Sequence, residues 1–322
     1  MLHDRIERRR FWPLPDHAGE SSAARRTGFE IEFAGLDVGE TASLVQALWG
    51  GTIRPLHIRA SVIEGGLLGD VQVELDISLR KAWLEELAAQ ALGDLVPVEI
   101  VTAPLRQDQL SELTRLVAVL AGAGAMGTQA RLGFGFGVHL NPALPPGGAD
   151  SLIAVIRAYA FLEGWLRGSA PLDPARRALP FVKSWPATLV DALADQARWS
   201  PAGLARLYAM LAPARGYGLD LLPAFEYLCP EALSDVPHSQ LKGGRPAFHY
   251  RLAESRLGDP DWSLAYEWNR WVLVERVAAD LPLLTQLAAG WQAHRDRVLG
   301  HRQDWIAFCE DLLSGADGLM PE

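Results

Sequence analysis

The sequence predicts an α+β fold, in which a strand-rich first part is followed by a helix-rich second part. Up to about residue 142, segments in which apolar and polar residues alternate are separated by stretches with helical periodicity. From residue 150 onward the pattern is mainly helical. Hydrophobic residues make up 49% of the 322 residues and charged residues 21%, which is typical of a globular protein with ample apolar material for a core.

The first predicted strand sets the character of the sheet. Side chains alternate across a strand, so in the segment GFEIEF at residues 28–33 the two acids Glu30 and Glu32 share one face, and the apolar residues cover the other. Later segments alternate in the same way. Strands are predicted at about residues 28–34, 54–63, 71–77, 95–101 and 134–141.

The helices between these strands are predicted near residues 39–49, 79–92 and 107–122, and each is followed or closed by glycine. In the second part, Asp150 is a predicted N-cap of a helix that ends near Gly168. Ser200 and Pro201 have the pattern of an N-cap and a first-turn proline, and Pro213 ends that helix. The segment at residues 246–252 could rejoin the front sheet. Helices near residues 262–281, 283–299 and 301–313 complete the prediction.

The domain organisation predicted from these elements is simple. Residues 1–24 are expected to form a flexible N-terminal arm, because the basic cluster at residues 8–10 is short and lies near the terminus. Residues 25–322 are expected to form a single domain with a helical C-terminal part at about 262–314. Candidate site residues lie on both sides of the Pro/Gly-rich segment 141–148, which we therefore interpret as a loop rather than a linker.

Charge and cysteine content restrict the class of protein. The formal net charge is −9, with 30 Lys and Arg against 39 Asp and Glu, which argues against a nucleic-acid partner because phosphate binding needs clustered cations. No secretory pattern and no apolar run of 18 residues is present, so we expect no membrane partner. Cys229 and Cys309 lack metal-ligand spacing and indicate reduced thiols in a cytoplasmic protein.

Carboxylates recur on the predicted strands. Glu74 and Asp76 share a face of the segment at 70–77, Glu99 lies in the segment at 96–105, and His139 lies in the fourth candidate strand. Such acids can simply form the solvated face of an antiparallel sheet. Like charges side by side raise each other's pKa unless a cation lies between them, however, so a divalent metal is the natural functional candidate.

Familiar nucleotide signatures are missing from the sequence. It contains no phosphate-binding loop of the type Gly-x-x-x-x-Gly-Lys-Ser/Thr, and the glycines at residues 133–137 lack the strand-to-helix context of a dinucleotide fingerprint. If this protein uses a nucleotide, metal ions must hold the phosphates. Mg²⁺ suits the acidic strands, because it prefers carboxylate oxygens and water and usually bridges to substrate phosphates.

Three motifs together carry a family resemblance: TGFEIEFAGL at residues 27–36, VEIVTAPL at 98–105 and GFGVHLNP at 135–142. They resemble the putative amidoligase branch of the glutamine synthetase and glutamate-cysteine ligase superfamily of carboxylate-amine ligases. The resemblance continues through RGYGLDLLP at 215–223 and FHYRL at 248–252, and so covers roughly residues 25–275. It implies a curved, mainly antiparallel sheet that forms a funnel-shaped active site, with helices packed outside.

The resemblance also implies residue roles and cofactors. ATP and Mg²⁺ would be the cofactors, with His139, Asn141, Arg245 and Arg251 contacting the nucleotide and the two arginines acting in catalysis by stabilising phosphate oxygens. The implied metal ligands are Glu30, Glu32, Glu74, Glu99, His139 and His249. One departure is that His249, Tyr250 and Arg251 stand where the better-known ligases have Glu-x-Arg, which removes a negative charge from the site.

The implied activity is ATP-dependent amide-bond formation through an acyl-phosphate intermediate. The expected partners are a small-molecule or peptide carboxylate and an amine donor, and a glutamine amidotransferase could supply ammonia. Two alternatives remain open: an inactive nucleotide-binding or regulatory protein on the same fold, and a hydrolase that uses Glu30 and Glu32 without ATP. Weaker candidates are Asp76 as a group that orients the amine, an Arg215–Asp220 pair in a loop, and Lys183.

Overall fold

An open antiparallel sheet of eight strands organises the chain, which was analysed as a computed structural model. The structure describes residues 1–76, 97–130, 135–170, 173, 174, 177, 182–195, 199–297 and 301–321. Within these residues the strands are β1 (Thr27–Phe33), β2 (Thr52–His57), β3 (Ala60–Gly66), β4 (Gly69–Leu75), β5 (Val98–Thr102), β6 (Val138–Pro142), β7 (Leu219–Asp220) and β8 (His249–Tyr250). Their order in the sheet is β2-β3-β4-β5-β1-β6-β8-β7.

Helices cover one face of this sheet. Among the described residues they are α1 (Val38–Trp49), α2 (Ser111–Gly122), α3 (Gly148–Ser169), α4 (Ala187–Ala194), α5 (Pro201–Leu211), α6 (Leu222–Leu228), α7 (Leu264–Ala279), α8 (Leu281–Arg295) and α9 (Arg302–Ser314). The mixture of helices with a large antiparallel sheet agrees with the predicted α+β class. Of the helices that the structure describes, none combines the length and the apolar character needed to cross a membrane.

The apolar face of the sheet forms the main core. Phe29, Ile31 and Phe33 on β1 are completely buried, and the ring of Phe29 lies 6.0 Å from that of Trp268 on α7. Tyr250 on β8 contacts Trp271 of the same helix, with ring centroids 5.2 Å apart. Because side chains alternate along each strand, burying these residues turns the intervening acids and imidazoles towards the opposite face.

Local sequence signals explain where several helices begin. The Asp37 side chain accepts a hydrogen bond from the backbone N–H of Glu40, and the Glu40 side chain accepts one from the N–H of Asp37, which is a capping box at the start of α1. Ser200 accepts from the N–H of Gly203 at the start of α5, as predicted. The helix predicted from Asp150 instead begins at Gly148, after Gly147 with φ +84°.

Residues 54–63 and 79–92 are two predicted elements that the described residues do not show as single elements. The single strand predicted over residues 54–63 is wrong, since the chain forms a hairpin of β2 and β3 that turns at residues 58 and 59. Alternation alone did not reveal this turn, because Ile58 is apolar yet 97% exposed. The helix predicted at residues 79–92 lies outside the described residues.

Residues 1–24, expected to form a flexible arm, lie against the helical layer. Trp12 is buried, its backbone N–H donates to Asn269, and its carbonyl accepts from the indole of Trp268. His17 lies against the fully buried Glu275 on the same helix, with 3.1 Å between His17 Nε2 and Glu275 Oε2. These contacts hold the segment to α7. Helices α7, α8 and α9 follow one another in the last part of the chain.

Candidate functional site

Strand register brings three carboxylates into a row. Glu32 on β1 lies directly opposite Glu99 on β5, and Glu99 lies directly opposite Glu74 on β4. Residues that face each other across antiparallel strands project to the same side of the sheet. The row therefore lies on the face opposite the apolar core, which we call the polar face.

Two imidazoles lie beside this row. His139 on β6 is directly opposite Glu30, and Asn141 is opposite Gly28. His249 on β8 projects to the same face, and its ring centroid lies 5.3 Å from that of His139 in an edge-to-face arrangement. The polar face thus carries Glu30, Glu32, Glu74, Glu99, His139, Asn141 and His249.

Glu30 is the most heavily contacted of these acids. Its Oε2 lies 2.6 Å from Nδ1 of His139, and its Oε1 accepts a hydrogen bond of 2.9 Å from Nδ2 of Asn141. Nε2 of His249 lies 3.8 Å from the same Oε2. Only 16% of the Glu30 side chain and 6% of His139 are exposed, so the pair is largely shielded from water.

Glu30 with His249 forms one half of the site, and Glu32 with Glu99 forms the other. Glu32 accepts a 2.5 Å hydrogen bond from the backbone N–H of Gly137, and its other oxygen lies 3.4 Å from Nε2 of His139. Glu74 accepts from the side-chain amide of Gln72 at 2.8 Å. Since Glu32 and Glu30 contact opposite nitrogens of one imidazole, His139 links the two halves.

The protonation of these groups follows from burial and crowding. Burial, reinforced by the charges of Glu30, Glu32, Asp76 and Glu74, raises the pKa of Glu99 well above its usual value. Burial and the nearby Arg251 lower the pKa of His139 to about 3. The pKa of Glu30 is raised by burial but lowered more by the two histidines, so it lies well below its usual value. At neutral pH the pair is an ionised Glu30 beside a neutral imidazole.

This donor set fits divalent metal ions. The possible ligand atoms of Glu30, His139 and His249 all lie within 4.8 Å of one another, as do those of Glu32, Glu99 and His139. Within the described residues, the buried Nε2 of His249 has no hydrogen-bond partner. Neutral imidazoles and ionised carboxylates are the forms that bind metals, and a cation here would also relieve the repulsion that raises the pKa of Glu99.

Asp220 supports the site from β7, and sequence reasoning missed this role. The residue is completely buried and lies directly opposite His249, with 3.3 Å between Asp220 Oδ2 and His249 Nδ1. Its pKa is raised by burial but lowered more by His249, Arg251 and Arg215. The expected Arg215–Asp220 pair is present at 3.3 Å. By engaging Nδ1, Asp220 leaves Nε2 of His249 facing Glu30, an arrangement typical of metal-binding histidines.

The predicted arginines lie at different places. Arg251 donates a 2.8 Å hydrogen bond to the carbonyl of Arg215, and its charge acts on both His139 and Asp220. Arg245 is exposed and lines a cavity beside Glu30 and Asn141. The backbone of Lys183 pairs with the Tyr217 segment, which explains its position without a chemical role.

The polar face lies within a recognised family signature. Residues 23–273 match the family described as Putative amidoligase enzyme, a range that runs from the segment before β1 into α7 and contains every residue of the polar face. No curated protein matches the chain significantly. The acids on β1, β4 and β5 and the histidines on β6 and β8 are therefore features of a family member. The chain belongs to the putative amidoligase family.

Proposed function

We propose that this protein is an ATP- and Mg²⁺-dependent carboxylate-amine ligase that joins an acid to an amine on the polar face. Family membership supports a ligase. The observation that supports metal and ATP dependence is the pair of overlapping donor groups, Glu30–His139–His249 and Glu32–Glu99–His139. A neutral imidazole has one free lone pair, so His139 would ligate a metal ion in one of the two groups. In this proposal the polar face is the floor of a funnel like that of the glutamine synthetase-like enzymes.

These two donor groups would hold the metal ions. Bound Mg²⁺ would offset the negative charge of a transferring phosphoryl group, which is the main requirement of phosphoryl-transfer catalysis. The group with two imidazoles also suits Mn²⁺ or another transition metal, because imidazole is a softer ligand than a carboxylate. Glu74, whose carboxylate is engaged by Gln72, would contribute negative charge from the next strand rather than a ligand atom.

The proposed reaction has two steps and needs no protein nucleophile. An oxygen of the acid attacks the γ-phosphorus of ATP, the bond from that phosphorus to the bridging oxygen breaks, and ADP leaves. The amine nitrogen then attacks the acyl carbon, the bond from that carbon to the phosphate oxygen breaks, and the departing phosphate takes up the proton that the nitrogen loses, which leaves the amide. Arg251, beside His139, would donate hydrogen bonds to the phosphoryl oxygens.

One alternative follows from His249. A histidine in place of the last-strand glutamate of better-known ligases removes a negative charge, so the protein could bind a nucleotide without turnover. Nucleotide binding without ADP release in the presence of any acid and amine would favour this regulatory role.

The test is ADP release measured with Mg²⁺ or Mn²⁺, a panel of carboxylic acids, and ammonium ion or a primary amine. We expect ADP release that requires both an acid and an amine. Glu32→Gln should abolish it, while Glu231→Gln, at an exposed position outside the polar face, should not. ADP release that is independent of the amine, or unaffected by Glu32→Gln, would contradict the proposal.

A further inference from the structure

A cavity of about 400 Å³ opens beside Glu30. It lies at the N-terminal end of β1, on the opposite side of Glu30 from the row of Glu32, Glu99 and Glu74. Glu30 and Asn141 are among its lining residues, and both are half-buried. A volume of this size falls within the range of small-molecule sites, towards its lower end.

Gly28 is the residue that keeps the cavity open. It precedes Glu30 by two positions, so any side chain at residue 28 would project from the polar face into this space. A Cβ built there would lie 3.6 Å from Cβ of Asn141, which is ordinary van der Waals contact. A Cβ at residue 28 is therefore accommodated, and the further atoms of a longer side chain would project into the cavity.

The walls are aliphatic. They include Val101, Pro104, Ala143 and Pro246. Phe29 also borders the cavity, but its ring packs against Trp268 on the apolar face. Among the described lining residues, none offers an aromatic ring on which a nucleotide base could stack, so the walls suit an aliphatic chain better than a purine.

Two exposed cations, Arg26 and Arg245, also line the cavity. Neither forms a salt bridge with a residue that the structure describes, although Arg106 and, more weakly, the charge of Arg26 lower the pKa of the exposed Asp108. The neighbouring Arg25 differs, because it pairs with the buried Glu275. Guanidinium groups recognise carboxylates and phosphates through paired hydrogen bonds. The cavity therefore brings together Glu30, an acid of the proposed metal site, and a pair of cations.

We propose that this cavity binds the acyl substrate, and that the substrate is an aliphatic acid with a second anionic group at its far end. The inference rests on the proposed ligase function. The reacting carboxylate would lie at the Glu30 end, and the distal carboxylate or phosphoryl group would pair with Arg26 and Arg245. Arg245 would thus recognise the substrate, whereas the family resemblance alone assigns it to the nucleotide.

The test compares α,ω-dicarboxylates of three to eight carbons with monocarboxylates of equal length. Binding is followed by ligand-observed NMR in a buffer that contains Mg²⁺ and no Mn²⁺, and turnover is followed by ADP release. We expect at least one dicarboxylate to bind about tenfold or more tightly than its matched monocarboxylate, since a charged hydrogen bond contributes roughly that factor. Phosphono-carboxylates in the same series show whether the distal group is a carboxylate or a phosphoryl group.

Variants locate the preference. Arg26→Gln combined with Arg245→Gln should remove the preference for dicarboxylates. Gly28→Val should block binding of both acid types. The control Arg206→Gln, at an exposed position on α5, should leave the preference intact. Retention of the preference in the double variant overturns the proposal. So does equal binding of the two acid types, failure of the whole series to bind, or competition with ADP for this cavity.

The outcomes separate this inference from the proposed function. Dicarboxylate binding that depends on the arginines, without ADP release, would support the cavity and contradict the ligase. ADP release driven by monocarboxylates and unchanged in the double arginine variant would support the ligase and contradict the cavity.

Discussion

Glu99 lies between Glu32 and Glu74 on the polar face, and replacing it by Gln is expected to stabilise the protein when no metal is present. Gln has nearly the shape of Glu, so the substitution removes the charge and leaves no void. Burial and four neighbouring carboxylates already raise the pKa of Glu99. The wild-type protein must therefore either ionise this group against repulsion or keep it protonated.

The magnitude can be bounded in two ways. The ligand oxygens of Glu32 and Glu99 lie within 4.8 Å, and Coulomb's law with an effective dielectric constant of about 20 gives a repulsion of ~3.5 kcal/mol at that distance. Keeping Glu99 protonated costs about 1.4 kcal/mol for each pH unit above its ordinary pKa of 4.5, which is ~3.4 kcal/mol at pH 7. Glu99→Gln should thus add up to about 3 kcal/mol at pH 7.

The pH dependence has a definite sign. Because the folded-state pKa of Glu99 is raised, folding takes up a proton, and this group's contribution to stability falls as pH rises from about 4.5 to the folded pKa. His139 acts in the opposite sense: its pKa is lowered from 6.5 to about 3, so its contribution is complete above pH 6.5 and is lost as pH falls. Above pH 6.5 the His139 contribution is constant, so of these two groups only Glu99 makes the stability change with pH.

The assay is urea unfolding in EDTA at pH 5, 6, 7 and 8. The difference in unfolding free energy between Glu99→Gln and wild type should grow from below about 1 kcal/mol at pH 5 to at most about 3 kcal/mol at pH 7. Excess Mg²⁺ should stabilise the wild type more than the variant, which keeps only the Glu30–His139–His249 donor group intact. Glu231→Gln should match the wild type throughout. A variant that is less stable than wild type at pH 8 in EDTA would refute the reasoning.

Three further predictions follow from the same geometry. Asp220→Asn should lower the free energy of unfolding by about 1–3 kcal/mol in urea, because a buried carboxylate loses charge-assisted hydrogen bonds; unchanged stability would mean that Asp220 does not hold His249. His249→Ala should weaken Mn²⁺ binding by about tenfold or more in calorimetric titration, whereas His238→Ala, at an exposed position, should have no effect. Arg251→Gln should lower kcat for ADP release by about 100-fold with little change in the KM for the acid, and a change in KM alone would indicate that Arg251 binds the acid instead.

The acids and the first histidine could be predicted from sequence because they lie on strands long enough to show alternation. Glu30 and Glu32 are flanked by Phe29, Ile31 and Phe33, and the pattern fixes which face each occupies. The sequence also places His249 in a segment that could rejoin the sheet, within the motif FHYRL at residues 248–252. These signals are local, and the pairing of strands then brings the groups together.

The remaining features depend on contacts that no local pattern encodes. β7 and β8 are two residues long, too short for a periodicity, so the position of Asp220 beside His249 follows only from their pairing. The docking of Trp12 onto α7 joins residues more than 250 positions apart. The cavity at Gly28 depends on three strands and a loop meeting at one point, which a single glycine in a sequence does not reveal.

The most direct test of the central claim is the anomalous scattering of Mn²⁺ in a crystal grown with a non-hydrolysable ATP analogue. We expect anomalous peaks on the polar face, within ligand distance of Glu30, His139 and His249 and of Glu32 and Glu99, with analogue phosphate oxygens completing the coordination. Peaks elsewhere on the protein, or a nucleotide bound away from these residues, would contradict it.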